Sequence, residues 1–434
     1  MSDNLSPEQL LESKKLPCTF CVLPWIHTYI STNKILHPCC QSQVGMARMI
    51  NNSNLSLETD LNKLFNNREY IKFREKLLSG DSSKVPDTCK QNCFNLEKNG
   101  GFSYRQHSNN EFLNLLDLSN IFNTATQKIS HLHVGFSNKC NFRCRMCIPM
   151  SSNSILSEYK KNVDKYSELQ KDINDCASGI GLQEIPLIAI KNGLYKNLEV
   201  IQFLGGEPFI QESTWDLLEF LIEKNKTNIK IIFHTNASIL NFKGKNILDV
   251  LKNFDSKNVK IYCSIDDFGD RAELIRKGTK WEDVRVNLKR LVDSEFETIL
   301  AITSSVYNVF RLQHIINYFV DQKIINSNYN NFYINPISEP SWLNFSVLNF
   351  NLKNNIIFSL EKFISSHPFK DVLQDKLKNV LLALKDKKYS HNIKNSKLFL
   401  DKITMFDDMR KENTFDIIPE LKQLRFFNFI KPKI

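Results

Sequence analysis

Short runs of apolar and β-branched residues recur along the chain from residue 129 onward and predict buried strands. They cover Ile129–Phe136, Leu198–Leu204, Ile229–His234, Val259–Ile265, Thr298–Ser304 and Asn331–Ile334. Continuous apolar runs of this length are typical of parallel strands that are covered on both faces. Amphipathic stretches of helical length separate them, at Ser213–Lys226, Lys243–Phe254, Trp281–Ser294 and Val309–Gln322. The alternation predicts an α/β fold with a parallel sheet, either doubly wound or a full or partial barrel.

The distribution of cysteines divides the chain further. Six of the 11 cysteines lie in the first hundred residues, where long periodic elements are few. We therefore predict a cysteine-rich domain at residues 1–125, a strand–helix core at 126–340 and a helical extension at 341–434. Within the extension, Asp408 and Arg410 are expected to form an ion pair on a helix surface, and lining of a substrate pocket is the alternative.

Composition and charge narrow the class of protein. Of the 434 residues, 42% are hydrophobic and 24% are charged, as in ordinary globular proteins. The net charge of +10 is spread without a basic run, and no RNA-stacking motif is visible, so no nucleic-acid partner is expected. No apolar stretch approaches the roughly 18 residues that span a bilayer, and the amino terminus is polar. We expect a cytoplasmic protein with no membrane partner.

Three cysteines follow the first predicted core strand in the sequence SNKCNFRCRMC. Cys140, Cys144 and Cys147 have C-x3-C-x2-C spacing, which lets three thiolates of one loop face a single metal centre. Zinc and an iron–sulfur cluster both accept such ligands. A structural zinc site needs a fourth nearby ligand, and the nearest histidines, His131 and His133, lie within the preceding strand. A four-iron cluster held by three cysteines instead leaves one iron open for a substrate or cofactor.

This spacing resembles the defining motif of the radical S-adenosylmethionine (SAM) superfamily, whose core is a partial (β/α)6 TIM-like barrel. The segments around Gly205, Gly206 and Glu207, around Asn236, around Ser264 and Asp266, and around Arg276 also resemble motifs of that superfamily, and they follow in the expected order. The resemblance implies a SAM-binding [4Fe–4S] cluster on the three cysteines, and SAM contacts from Met146, Gly205, Gly206, Glu207, Asn236, Ser264, Asp266 and Arg276. Polar groups at the carboxyl ends of parallel strands are where ligands of such sheets bind.

The amino-terminal cysteines suggest a second site. An alternating run at Ile26–Ser31, a turn and a return to Cys39 and Cys40 predict a β-hairpin, and Cys89-x3-Cys93 adds a close pair. Four cysteines complete either a structural zinc site or an iron–sulfur cluster.

This arrangement resembles the SPASM/twitch auxiliary-cluster domains of radical SAM enzymes. It implies an auxiliary [4Fe–4S] cluster on Cys21, Cys39, Cys89 and Cys93, with Cys40 as the alternative to Cys39. Two departures stand out: the domain precedes the barrel, and Lys34 replaces the expected turn glycine.

The resemblance implies an enzyme in which SAM is reductively cleaved to a 5′-deoxyadenosyl radical that abstracts hydrogen from a substrate C–H bond. Oxidation or cross-linking of a peptide or protein side chain is the expected outcome. Dehydrogenation or epimerisation of a sugar or alcohol, RNA modification, and a non-catalytic zinc-binding module are the alternatives. An external one-electron donor such as flavodoxin or ferredoxin is the expected partner, and no catalytic side chain is assigned.

Overall fold

The computed structural model describes residues 5–42, 55–56, 59–177 and 185–426. They form two compact units. The first comprises Met1–Lys139, Asp175–Phe233 and Asp249–Val259, and the second comprises Cys140–Asn174, His234–Leu248 and Lys260–Ile434. The division of the chain at residues 125 and 340 stays a prediction, and residues 427–434 of the expected extension lie outside the described residues.

The strands of the described residues are numbered in chain order. They are β1 (His27–Ile30), β2 (Leu36–His37), β3 (His131–Gly135), β4 (Arg143–Cys144), β5 (Val200–Leu204), β6 (Lys230–Thr235), β7 (Asn241–Phe242), β8 (Lys245–Asn246), β9 (Val259–Ser264), β10 (Arg276–Lys277), β11 (Glu297–Ser304) and β12 (Phe332–Pro336). All six predicted core strands are present, as β3, β5, β6, β9, β11 and β12, and the α/β class is confirmed.

In the first unit, parallel pairing joins β1 to β3, β3 to β5, and β5 to β6. β2 pairs with β1 in the antiparallel sense, which confirms the predicted hairpin. The register places His27 opposite His131, and His131 opposite Val200. The amino-terminal hairpin is therefore part of the sheet of the first unit.

In the second unit, β11 lies between β9 and β12 and is parallel to both. Two short antiparallel pairs accompany them, β4 with β10 and β7 with β8. The sequence predicted one helix over Lys243–Phe254, whereas the helix covers only Ile247–Leu251. The difference arises because Gly244 adopts a φ of +82° and turns the chain between β7 and β8.

Helices surround the strands in both units. The longer ones span Pro7–Ser13, Arg68–Leu78, Tyr104–Phe112, Asn153–Asn162, Leu169–Ala177, Ile185–Lys191, Glu212–Glu223, Gly269–Ile275, Trp281–Val292, Leu312–Asp321, Phe350–Ser366, Lys370–Lys385 and Ile393–Arg410. Short helices lie at Leu23–Ile26, Leu61–Phe65, Asp87–Cys89, Asn95–Lys98, Thr414–Ile417 and Lys422–Phe426. Within the described residues, no helix is both long enough and apolar enough to span a lipid bilayer.

Helical spacing of apolar residues explains how these helices pack. In Leu312–Asp321, the side chains of Leu312, Ile315, Ile316 and Phe319 are fully buried on one face. Burying each such side chain stabilises the fold by about 1.5–3 kcal/mol. The same period of three or four residues made this helix visible in the sequence.

Candidate active site

The three-cysteine loop of the second unit is held by short backbone contacts. β4 pairs with β10, which sets Cys144 opposite Arg276. The Cys140 N–H donates to Asn153 Oδ1 at 3.0 Å, and Ser154 Oγ donates to the Cys140 carbonyl at 2.6 Å. The start of helix Asn153–Asn162 therefore fixes one end of the loop, and β10 fixes the other.

The three cysteines of this loop are half-buried. Arg276 Nη1 donates to Cys144 Sγ at 3.9 Å, and the Phe142 N–H donates to Cys140 Sγ at 3.4 Å. Burial raises the pKa of the Cys144 thiol, and burial followed by the charge of Cys144 raises the pKa of Cys147 to about 12. Bound metal deprotonates coordinating thiols outright. Three sulfur donors on one loop, beside a guanidinium, fit a metal–sulfur cluster.

Arg276 is oriented by Asp266. The guanidinium Nε donates to Asp266 Oδ2 at 2.8 Å, and the Thr303 N–H donates to Asp266 Oδ1 at 2.9 Å. The Asp266 side chain is 1% exposed, and Ser264 ends β9 two residues earlier. The backbone of β11 therefore holds the Asp266 carboxylate in place. That carboxylate orients the Arg276 guanidinium toward the Cys144 thiol.

Asn236 contacts the cysteine loop directly. Its Nδ2 donates to Asn141 Oδ1 at 3.0 Å, and its Oδ1 accepts from the Ser238 backbone N–H and hydroxyl. Asn141 Nδ2 in turn donates to Ser238 Oγ at 2.9 Å. The three side chains form a closed ring of hydrogen bonds. Sequence reasoning missed Asn141, although it directly follows Cys140.

The Gly-Gly-Glu segment lies in the first unit and follows β5. Gly205 and Gly206 have φ values of +75° and +27°, and a Cβ on Gly206 would lie 2.2 Å from the Lys139 carbonyl oxygen. The Glu207 N–H donates to that same oxygen at 2.8 Å. Only glycine permits this close approach to Lys139, the residue before Cys140. Glu207 is 1% exposed, and its Oε1 accepts from the Phe209 N–H at 3.1 Å.

The remaining predicted SAM contact is Met146. It is half-buried within the cysteine loop, between Arg145 and Cys147. Its role in binding a nucleoside stays a prediction.

Five amino-terminal cysteines come together in the first unit. Burial raises the pKa of Cys39, and the neighbouring Cys40, Cys89, Cys93 and Cys21 raise it further. Burial likewise raises the pKa of Cys21 to about 12 and of Cys40 to about 11. Thiols gathered in a buried position suit a metal, which binds them as thiolates.

Local structure explains this gathering. Cys21 precedes helix Leu23–Ile26, and Cys39 and Cys40 follow β2. Cys89 ends a short helix, and Cys93 lies in the π-helical turn that continues it. π-helical turns are rare and concentrate at functional sites.

Arg105 provides a cation beside these thiols. It forms an ion pair with Glu97 and donates to the carbonyls of Phe20, at 2.7 Å, and Cys18, at 2.9 Å. Its charge lowers the pKa of Cys21, although burial outweighs it. The exposed Cys18 thiol instead donates to the Gly80 carbonyl at 3.9 Å. Arg105 thus anchors the segment that carries Cys21.

The carboxyl-terminal helix Ile393–Arg410 supports the three-cysteine loop. Arg145 is fully buried, and its Nη2 donates to Asp407 at 2.8 Å and to Glu412 at 2.7 Å. Arg410 pairs with the buried Glu158 at 2.7 Å.

The expected surface pair of Asp408 with Arg410 is wrong. Asp408 accepts from Lys165 and Tyr166, both at 2.7 Å, whereas Arg410 turns inward. The reason is that the Arg410 side chain, 1% exposed, reaches a buried carboxylate from helix Asn153–Asn162. Sequence spacing along one helix could not reveal that partner.

Residues 134–311 match the family model of the radical SAM superfamily. This part of the chain is therefore similar to the radical SAM superfamily. Members of that superfamily are enzymes that bind a [4Fe–4S] cluster and SAM and need a source of electrons. The predicted barrel strands β5, β6, β9 and β11 all lie within the matched residues.

Curated relatives of the radical SAM domain are distant. The radical SAM cyclopropyl synthase TigE of Paramaledivibacter caminithermalis is 26% identical over 252 residues, which are 50% of this chain and 50% of that protein. The GTP 3′,8-cyclase of Clostridium botulinum strain Hall is 30% identical over 155 residues, 35% of this chain and 40% of that one. The chain thus spans half or less of the length of these relatives.

Among solved structures, Streptococcus suis SuiB has a TM-score of 0.35 at 12% identity, covering 68% of this chain and 63% of its own. Native anSMEcpe with bound AdoMet has a TM-score of 0.33 at 15% identity, covering 54% and 61%. With TM-scores below 0.5, these likenesses carry no argument.

Proposed function

We propose that this chain is a radical SAM enzyme that oxidises or cross-links a side chain of a peptide or protein, assisted by an auxiliary [4Fe–4S] cluster. The observation that carries the proposal is the loop of Cys140, Cys144 and Cys147 inside the matched domain, with Arg276 directed at the Cys144 thiol. The loop offers three sulfur ligands and leaves the fourth iron of a cluster for SAM.

When bound, the cluster and SAM supply the 5′-deoxyadenosyl radical that abstracts hydrogen from the substrate. The residues of the chain bind and orient the cluster and SAM. We assign the carboxylate of SAM to the outer edge of the Arg276 guanidinium, because Nε is occupied by Asp266. We assign its amino group to Gly205, Gly206 and Glu207, and the remaining contacts to Met146, Asn236 and Ser264.

We assign the auxiliary cluster to Cys21, Cys39, Cys89 and Cys93, with Cys40 as the alternative to Cys39. Their mutual proximity and the neighbouring Arg105 support this assignment. Four thiolate ligands leave no open iron, so electron exchange with the substrate is the role we propose. If Cys39 and Cys40 both stay unligated, the open iron binds substrate instead.

Iron counting tests the two-cluster assignment. The chain is reconstituted anaerobically with iron and sulfide, and iron is measured for the wild type and two triple alanine variants. Two four-iron clusters predict about eight irons per wild-type chain. Alanine at Cys140, Cys144 and Cys147, or at Cys21, Cys89 and Cys93, should each leave about four. An auxiliary variant that keeps about eight irons contradicts the assignment, whereas Cys18→Ala is the matched control and should change nothing.

The substrate class is testable without knowing the substrate. Deuterium abstracted from a substrate appears in 5′-deoxyadenosine, so the reduced holoenzyme with SAM is offered fractions of a perdeuterated cell extract. Protease-sensitive transfer from the macromolecular fraction supports a peptide or protein substrate. Transfer from the small-molecule fraction contradicts it and favours the second candidate, a nucleotide-like or sugar-like substrate, which the 30% identity to a GTP 3′,8-cyclase supports. Ribonuclease-sensitive transfer identifies RNA.

The electron donor we propose is a flavodoxin or ferredoxin of the cytoplasm. Clusters on thiolate ligands require a reducing compartment during assembly. Purified donors of both classes, compared for 5′-deoxyadenosine formation, test this directly.

A further inference from the structure

Three histidines meet inside the first unit. His27 of β1 and His131 and His133 of β3 are each 0% exposed. Their potential ligand nitrogens all lie within 4.8 Å of one another. His131 and His133 are two residues apart on one strand and share a face of the sheet. The parallel register sets His27 opposite His131. Pairing of β1 with β3 therefore assembles the group.

The three rings are packed edge to face around a common centre. Ring centroids are 4.8 Å apart for His27 and His131, 4.2 Å for His27 and His133, and 4.7 Å for His131 and His133. A zinc ion with nitrogen ligands at about 2.0–2.1 Å requires the nitrogens to approach to about 3.3 Å in tetrahedral geometry. Metal binding therefore requires the rings to rotate so that their nitrogens come closer than the 4.8 Å within which they lie here.

The tautomer of His27 is the one expected of a metal ligand. Its Nδ1 lies 3.2 Å from the Pro38 carbonyl oxygen, and because a carbonyl only accepts, Nδ1 carries the proton. Nε2 then holds the lone pair, and it is buried without a hydrogen-bond partner among the described residues. A histidine that donates one ring N–H to a backbone carbonyl and offers its other nitrogen is the usual arrangement of a metal ligand.

The chemistry of the donors selects the metal. Neutral imidazole is the form of histidine that binds metals. Imidazole suits zinc and the neighbouring divalent transition ions, whereas calcium and magnesium prefer oxygen. Gln202, opposite His133 in the register of β5, is a further polar side chain beside the group and a hydrogen-bond partner of His131.

We propose that His27, His131 and His133 form a binding site for a divalent transition ion, zinc in the first instance. The ion joins the amino-terminal hairpin to β3. Pro38, the carbonyl partner of His27, directly precedes Cys39, so the same bond ties the ion to the segment that carries the auxiliary cysteines. The site is independent of the proposed reaction.

The test uses the full chain with both cysteine sets first filled with iron and sulfide, so that zinc cannot occupy them. The protein is then equilibrated with equimolar zinc, and zinc is counted and examined by X-ray absorption at the zinc edge. The expected result is one zinc per chain with nitrogen neighbours at about 2.0–2.1 Å and imidazole outer shells. No bound zinc, or zinc with sulfur neighbours at about 2.3 Å, overturns the proposal.

Two variants sharpen the result. His131→Phe keeps a ring in the cluster but removes both nitrogens, and should lose most of the zinc. His314→Phe, at an exposed position of helix Leu312–Asp321, is the matched control and should retain it. Zinc retained by His131→Phe with an unchanged nitrogen shell overturns the proposal. If that variant fails to fold, the anomalous map of wild-type crystals at the zinc edge decides: a peak among the three rings supports the site, and no peak overturns it.

Discussion

Arg145 and Asp407 are 262 residues apart in the chain and form a 2.8 Å ion pair in the second unit. The Arg145 side chain is 0% exposed and lies between two cysteines of the cluster loop. Its charge is balanced by Asp407 and Glu412, and its guanidinium also lies 5.5 Å from the Phe406 ring. The carboxyl-terminal helix therefore stabilises the loop that carries Cys144 and Cys147.

This pair predicts a large effect of Asp407→Asn on stability. The substitution removes one of two charges that compensate a buried cation, and it weakens the bonds that Asp407 accepts from Thr414. We expect a loss of about 2–4 kcal/mol in the free energy of unfolding, measured by urea titration. Asp401→Asn, at an exposed site on the same helix, should change it by less than about 0.5 kcal/mol. Equal effects of the two would contradict the role of the pair.

Gly206→Ala should destabilise the chain far more than an alanine at another glycine of positive φ. A Cβ at Gly206 would collide with the Lys139 carbonyl oxygen, whereas at Gly244, whose φ is +82°, it would meet nothing within 4 Å. Gly244→Ala thus pays only for the backbone conformation, about 1 kcal/mol. We expect Gly206→Ala to lose at least about 2 kcal/mol more in urea titrations. Similar losses would show that the approach to Lys139 is not tight.

Lys34 occupies a turn position whose positive φ favours glycine, and its side chain explains why a lysine stands there. With a φ of +60°, it donates from Nζ to the Phe136 carbonyl at 2.7 Å and to the Gly135 carbonyl at 3.4 Å. Lys34→Gly would relieve the strain of the positive φ, but it would leave the carbonyls of Gly135 and Phe136 without this donor. We therefore expect a net loss of about 1–2 kcal/mol in the free energy of unfolding.

Lys323→Gly is the matched control for Lys34. Lys323 has a φ of +54° and is exposed after helix Leu312–Asp321. Here glycine relieves the same conformation without losing a buried bond, and we expect a gain of about 0.5–1 kcal/mol. The two variants should therefore have opposite signs in thermal or urea unfolding. A stabilising Lys34→Gly would show that its bonds contribute little.

The buried carboxyl group of Asp267 predicts that the stability of the fold depends on pH. Burial raises its pKa from 3.8 to about 6, against the opposing charge of Arg311. The folded state holds the proton more tightly than the unfolded state. The contribution of Asp267 to the stability of the fold is therefore highest below pH 4 and falls as the pH rises toward 6. The difference corresponds to about 3 kcal/mol.

Asp267→Asn removes this titration. We expect the variant to gain about 3 kcal/mol relative to the wild type between pH 4 and pH 7, measured as the free energy of unfolding at each pH. A difference between Asp267→Asn and the wild type that does not change with pH would mean that the Asp267 carboxyl group ionises normally in the folded chain.

Much of the fold could be predicted because local pattern determines it. The six core strands are short apolar runs, and helix Trp281–Val292 repeats buried residues at helical spacing. The turn at Gly244 was also visible locally, as a glycine within the predicted helix. The apolar residues at helical spacing that follow it nevertheless led to the prediction of a continuous helix. The cysteine motif was visible because its three cysteines lie within eight residues.

The rest depends on contacts between distant segments, which leave no periodic trace. The parallel pairing of β1 with β3 joins residues about a hundred positions apart, and it assembles His27 with His131. Likewise, the ring of Asn141, Asn236 and Ser238 forms only after β6 and the cysteine loop are in place. Polar residues of this kind look like surface positions until their partners are known.

The central claim is that Cys140, Cys144 and Cys147 support cleavage of SAM, and the most direct test is formation of 5′-deoxyadenosine. The reconstituted chain is incubated anaerobically with SAM and dithionite, with a perdeuterated cell extract present to supply substrate, and the product is quantified by mass spectrometry. The account predicts product with the wild type and with Cys18→Ala, and none above background with alanine at the three loop cysteines. Product formation that survives the triple substitution, or its absence from a wild-type chain loaded with iron and substrate-rich extract, would contradict the account.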